Sequence, residues 1–144
     1  MQAKLALSTL HSNEILHRDV KPDNFLFHGM QLQLNDFDIS CFKYENHLRQ
    51  IRPVGTRGFW SPRMDVPVDN WIYSEEDDWM SLALTFAFWL GIYSAPKTVV
   101  PADIAAVKKN AVKTLLDSQI APSDLKTFLR TTLTDPSCFS SGHS

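Results

Sequence analysis

Apolar residues recur at helical spacing near the N-terminus, where Leu5, Leu7 and Leu10 mark a helix over Gln2 to Ser12. Asn13 and Glu14 end that pattern. Further on, "NFLF" and "LQLN" are short strand-like runs separated by His28-Gly29-Met30, which predicts a hairpin over Phe25 to Leu34. Asp38 to Asp69 has no sustained period; its glycine, proline and scattered charge read as a long irregular segment. Loops of that length inside a domain are usually functional or disordered.

The run "WMSLALTFAFWLGIY", Trp79 to Tyr93, is apolar on every face, which predicts a helix at the centre of the fold, over Ser81 to Gly91. It is shorter than the roughly 18–20 residues that span a bilayer. Glu75, Glu76, Asp77 and Asp78 abut it directly, so it reads as a core helix and not a membrane span. Two amphipathic helices follow. "PADIAAVKKNAVKTLL" has Pro101 at its start and Ile104, Val107, Ala111 and Leu115 as its apolar face. "PSDLKTFLRTTL" has Ser123 as N-cap and Leu125, Phe128, Leu129 and Leu133 on one side. The tail "DPSCFSSGHS" reads as a polar, frayed end. The expected fold is mainly α, with helices around a central buried helix and a small β-hairpin. One domain over residues 1–139 and a flexible tail over 140–144 are expected.

At 144 residues and 44% hydrophobic content, one domain with a real core is affordable. A net charge of −2 and a pI near 6.2 argue against nucleic-acid and membrane-surface partners. The start lacks the basic region, apolar core and cleavage site of a secretory signal. The two cysteines, Cys41 and Cys138, then read as free thiols in a reducing compartment, and the expected location is intracellular, cytoplasm or nucleus.

The chemistry is concentrated in "ILHRDVKPDNFLF", where His17, Arg18, Asp19, Lys21 and Asn24 stand within eight residues, between apolar segments. Asp36-Phe37-Asp38 follows Asn24 by twelve residues, then "GTRGFWSPR" over Gly55 to Arg63, then "DDWMSLAL". His-Arg-Asp followed, after four intervening residues, by Asn resembles the catalytic loop of protein kinases. Lysine within "HRDVKPDN" is the form of the Ser/Thr class. Together the four motifs resemble the large lobe of a Ser/Thr protein kinase, most fully over Leu5 to Tyr93.

The resemblance implies ATP- and magnesium-dependent phosphoryl transfer to protein hydroxyls, a reaction dominated by positioning and charge neutralisation. Asp19 would accept or orient the proton of the attacking hydroxyl, and Lys21 would neutralise charge on the moving phosphoryl group. Asn24 and Asp36 would supply oxygens to magnesium, a hard cation. Leu26 would lie under the adenine ring, or else be an ordinary strand core residue. His17 and Phe37 would stack as a spine between the catalytic and magnesium loops. Arg18 would receive an activation-loop phosphate, for which Ser40 and Tyr44 are the hydroxyl candidates, or pair with Glu45 in its place. Thr56 would pack against Asp19 and Lys21, or serve as a phosphosite. Asp78 would accept hydrogen bonds from the catalytic-loop backbone, besides being a carboxylate favoured at a helix N-terminus.

The sequence departs from the family pattern at several points. No glycine-rich loop, Val-Ala-Ile-Lys lysine or partner glutamate occurs in it, so ATP and magnesium are expected only with a complete domain. Asp38 stands where the magnesium loop has glycine, restricting the backbone and adding a negative charge. Arg63 replaces the glutamate of Ala-Pro-Glu, and Phe139 stands where that glutamate's arginine is expected, so both ends of an ion pair are exchanged. Two other functions compete: a non-catalytic kinase-like binding module, and a small-molecule phosphotransferase of the aminoglycoside-kinase type, which "GTRGFWSPR" disfavours. The expected partner is a protein substrate or a small-lobe segment.

Overall fold

A computed structural model describes residues 2–45, 54–66 and 72–133. We number its helices α1 (Gln2–Ser12), α2 (Glu75–Trp89), α3 (Ile104–Asp117) and α4 (Ser123–Thr132). The strands are β1 (Ile15–Leu16), β2 (Phe25–His28), β3 (Gln31–Leu34) and β4 (Cys41–Phe42). The described chain is mostly helical, with two small antiparallel sheets.

Helix α2 is buried on all faces from Asp77 to Thr85, as its composition predicts. It begins six residues before the expected Ser81, because the four acids are its first turn and not a flank. They face the positive end of the helix dipole, and the Asp77 carboxylate accepts the Ser74 N–H at 2.9 Å. Gly91, at φ +75°, carries the chain out of the helix.

The other helices pack around α2 with Leu7, Ile104, Ala111 and Leu115 buried and Leu10 half-buried, as expected, but Leu5 and Val107 do not face inward. On α1 the buried residues are Ala3, Leu7 and His11, while Leu5 is 66% exposed. On α3 they are Ile104, Lys108, Ala111, Val112, Leu115 and Leu116, while Val107 is 39% exposed. In each case a polar residue takes the inner position because buried polar groups satisfy it. Helix α4 buries Leu125, Leu129 and Leu133, with Phe128 half-buried. Pro122 and not Ser123 occupies its N-cap, its carbonyl accepting the Lys126 N–H at 3.0 Å.

The hairpin forms as expected, with Phe25 opposite Leu34, both buried, and Gly29 at φ +58° in the turn. The stretch read as irregular contains β4, which pairs with β1, and a 3-10 turn over Pro62–Asp65. Cys41 is buried with Leu16, Met64 and Tyr73 in a small second cluster. Among the described residues, no helix is long and apolar enough to cross a membrane. Cys138, Phe139 and the 140–144 tail lie outside the described residues.

Candidate active site

Asp78, in the first turn of α2, is fully buried and gathers four donors. His17 N–H and His11 Nε2 lie 2.9 Å from Oδ2, while Arg18 N–H at 2.9 Å and the Tyr73 hydroxyl at 2.7 Å donate to Oδ1. Burial by itself would raise this carboxyl, but the bonds and charge of His11, with those from Tyr73 and Arg18, hold it below the usual carboxylate range. The sequence anticipates the backbone bonds; His11 and Tyr73 are additions that no motif signals.

That grip sustains an unusual backbone. Arg18 has φ +74° and Asp36 φ +61°, a region sparsely populated by non-glycine residues and common at functional sites. Arg18 also donates through Nε to the Ile39 carbonyl at 2.8 Å. Of its proposed counterparts, Glu45 accepts the Phe42 N–H, Ser40 donates to the His17 carbonyl, and Tyr44 stacks on Phe42 in solvent.

His17 ties the loop to the end of β3. Its Nδ1 accepts the Asp19 N–H at 3.1 Å, so the proton on Nε2 is donated to the Asn35 carbonyl at 2.9 Å. Its ring meets Phe37 edge-on at 5.2 Å, the expected stack. Asn35 N–H donates to the Asn24 carbonyl at 2.7 Å, which sets Asp36 one residue beyond a direct link to Asn24.

Four of the expected residues form one hydrogen-bonded clasp. Lys21 Nζ donates to Thr56 Oγ1 at 2.8 Å, and that hydroxyl donates to Asp19 Oδ1 at 2.9 Å. The Thr56 N–H reaches the same oxygen at 3.1 Å. Asn24 Nδ2 donates to the Asp19 carbonyl at 2.7 Å and, weakly, to Oδ2 at 3.4 Å. Asp36 is exposed, with the Asp38 N–H 3.4 Å from its Oδ1. Asp38 itself is absent from the positive-φ residues, so the freedom a glycine would offer there is not used. Leu26 is 45% exposed beside Phe27 at 70%, which overturns its reading as a strand core residue.

Gly55 makes the clasp possible. Its φ is +91°, and a Cβ there would lie 2.4 Å from the Arg18 carbonyl oxygen and 3.4 Å from Asp19 Oδ1. Gly55→Ala therefore drives backbone against backbone at the strained residue. It should cost roughly 1–3 kcal/mol in urea unfolding and accelerate amide exchange at Thr56. Wild-type exchange at Thr56 in that variant would show that the close approach does not hold the clasp.

Arg63, standing in the place of the family's glutamate, has a different partner. Its Nε and Nη2 grip the two carboxylate oxygens of Asp77 at 2.7 and 2.5 Å, and Nη2 also reaches the Ile72 carbonyl. Burial pushes the Asp77 carboxyl up, and Arg63 opposes that shift.

The oxygens near the clasp suit magnesium. Asn24 spends its Nδ2 on Asp19, leaving its amide oxygen, and Asp36 offers an exposed carboxylate. Among the described residues, no three His, Cys, Asp or Glu side chains gather as a metal cage. Magnesium is commonly held by one or two protein oxygens together with substrate phosphates.

A strained loop gripped by a buried helix-start aspartate thus stands beside an aspartate–threonine–lysine clasp. Residues 1–130 match the protein kinase domain, and the chain belongs to that family. It is 43% identical over 61 residues to the phosphorylase b kinase gamma catalytic chain, liver/testis isoform, of Mus musculus, covering 41% of this chain and 14% of that one. A putative serine/threonine-protein kinase of Acanthamoeba polyphaga mimivirus is 33% identical over 93 residues, 63% of this chain and 33% of its own length. A serine/threonine-protein kinase of Schizosaccharomyces pombe is 33% identical over 88 residues, 59% and 17% respectively. The chain thus spans a third or less of these relatives.

Proposed function

We propose that this chain is the C-lobe part of a serine/threonine protein kinase domain, acting on protein hydroxyls with ATP and magnesium. The observation that carries the reading is the clasp, in which the Thr56 hydroxyl bridges Lys21 and Asp19. An ammonium and a carboxylate held to one hydroxyl put a charge neutraliser and a proton acceptor side by side, as in-line transfer to a hydroxyl requires. Asp19 orients the substrate hydroxyl and takes its proton as oxygen bonds to phosphorus and ADP departs. Lys21 stabilises negative charge on the transferring group. Asn24 and Asp36 would hold magnesium, which when bound neutralises charge on the phosphate oxygens. Leu26, exposed on β2, offers an apolar surface for the adenine ring.

A glycine-rich loop and its lysine are not among the 144 residues, so the upper clamp on the nucleotide has to come from outside them. The 144 residues alone are expected to show no turnover. With a small lobe supplied, in a longer product or in trans, Mg-ATP should phosphorylate serine and threonine peptides. Bound Mg-ATP without transfer to any such peptide would favour the non-catalytic binding module. Robust turnover by the 144 residues alone would refute the argument from the clamp.

The same assay tests Asp38. Asp38→Gly should keep or raise transfer, because it removes an exposed negative charge near the phosphates and breaks no contact beyond the weak backbone one, which glycine retains. A large loss of transfer would assign Asp38 a role of its own.

A further inference from the structure

Lys108 is fully buried, on the inner face of α3 where the apolar spacing points to Val107. A buried ammonium is tolerated when each of its protons meets an acceptor. Here the three acceptors are Asp65 Oδ2 at 2.8 Å, the Arg57 carbonyl at 2.8 Å and the Trp60 carbonyl at 3.0 Å. The other Asp65 oxygen accepts the Trp60 indole N–H at 2.8 Å. Burial pulls the Lys108 ammonium below its ordinary pKa, and Asp65 opposes the shift.

Both carbonyls belong to the turn that follows Thr56. Within it the Phe59 and Trp60 N–H groups donate to the Thr56 carbonyl at 2.9 and 3.0 Å. The Gly58 carbonyl accepts the Tyr93 hydroxyl at 2.5 Å, and Gly58 lies so close to Ala95 that an added Cβ would meet its Cβ at 3.0 Å. From α3 the contacts therefore run to the turn, from the turn to Thr56, and from Thr56 to Asp19 and Lys21.

We propose that Lys108 is a positioning residue: through Asp65 and the Arg57 and Trp60 carbonyls it holds the Thr56–Trp60 turn in the register that keeps Thr56 on Asp19 and Lys21, and so sets the surface that a peptide presenting its hydroxyl to Asp19 would meet. The consequence for substrate rests on the phosphotransfer reading; the positioning of Thr56 does not.

The test uses the full chain and amide hydrogen exchange. Lys108→Met strands two carbonyls and a buried carboxylate, and that variant can fail to fold. Lys108→Met with Asp65→Leu removes the buried carboxylate together with its partner, so that neutral groups alone, the two carbonyls and the Trp60 indole N–H, lose a partner. In the double variant the Thr56 amide should exchange roughly ten- to a hundredfold faster, while the α2 amides from Leu82 to Leu84 stay close to wild type. Wild-type protection at Thr56, or an equal loss at Thr56 and α2, would overturn the proposal.

In a complete domain the same variant should raise the peptide KM about tenfold and leave the KM for ATP unchanged. Transfer with an unchanged peptide KM would overturn the docking role while leaving the phosphotransfer reading intact. Faster Thr56 exchange in the variant, with no transfer by the complete wild-type domain, would overturn the phosphotransfer reading and uphold the positioning.

Discussion

Asp78→Ala is expected to remove a large share of the protein's stability. The carboxylate receives two backbone N–H groups of the strained loop, the Tyr73 hydroxyl and His11, all in a site closed to water. Each donor stranded by its removal costs about 1–3 kcal/mol. Allowing for non-additivity, the total is on the order of 4–6 kcal/mol, against a whole-domain stability of about 5–15 kcal/mol. Urea unfolding followed by tryptophan fluorescence reads this directly, since Trp79 is buried next to Asp78 in sequence. A variant within about 1 kcal/mol of wild type would mean that the loop is held by other contacts.

The milder Asp78→Asn exposes the pH dependence. The folded carboxyl lies below its ordinary value of 3.8, so the unfolded chain binds the proton more readily. Its contribution is complete above that ordinary value and is lost as pH falls through the depressed one. Asp77 works in the opposite sense: its raised carboxyl favours the folded state at low pH and yields that contribution as pH climbs through the raised value. In Asp78→Asn the decline of stability below pH 3.8 should therefore flatten; an unchanged decline would assign acid sensitivity to other groups.

Asp19→Asn should be nearly silent in unfolding and severe in turnover. Thr56 donates its N–H and hydroxyl to Oδ1, and an asparagine can present its amide oxygen to both. The Oδ2 side has the weak 3.4 Å bond from Asn24 and a 3.9 Å ion pair with Lys21 to lose. Stability should change by less than roughly 1 kcal/mol. The amide, however, cannot take the substrate proton. Losing a general base costs about 10²–10⁴-fold in rate, about 3–5 kcal/mol of barrier. In a complete domain kcat should fall by that factor with the KM for ATP little changed. Retention of more than a tenth of wild-type kcat would remove Asp19 from the base role.

The arrangement of the loop was legible because it is local. Asp19, Lys21 and Asn24 lie within six residues, and a turn of that length brings them together whatever surrounds it. Helix α2 was legible because a segment apolar on all faces has one place to go. His11 and Lys108 were not, because each stands among apolar residues as an ordinary surface residue would. What draws them inward is an acceptor far along the chain: Asp78 for His11, and Asp65 with two carbonyls for Lys108. Periodicity therefore counted Leu5 and Val107 among the inward positions and passed over His11 and Lys108. Gly55 was visible as part of a motif, but its need for glycine comes from the Arg18 carbonyl, 37 positions away.

Asp77 and Asp78 are adjacent on a single helical turn, yet they grip opposite halves of the site. Asp78 fastens the His17–Asn24 loop, and Asp77, through Arg63, fastens the segment that ends the Thr56 loop. Both halves are thus referenced to the same few ångströms of rigid backbone. A tilt or slide of α2 displaces Asp19 and Thr56 in common, so their separation is insulated from the helix's own motion. The tolerance of the site is then set by the tethers that reach each half from α2 and, for Thr56, by the one that reaches its turn from Lys108 on α3.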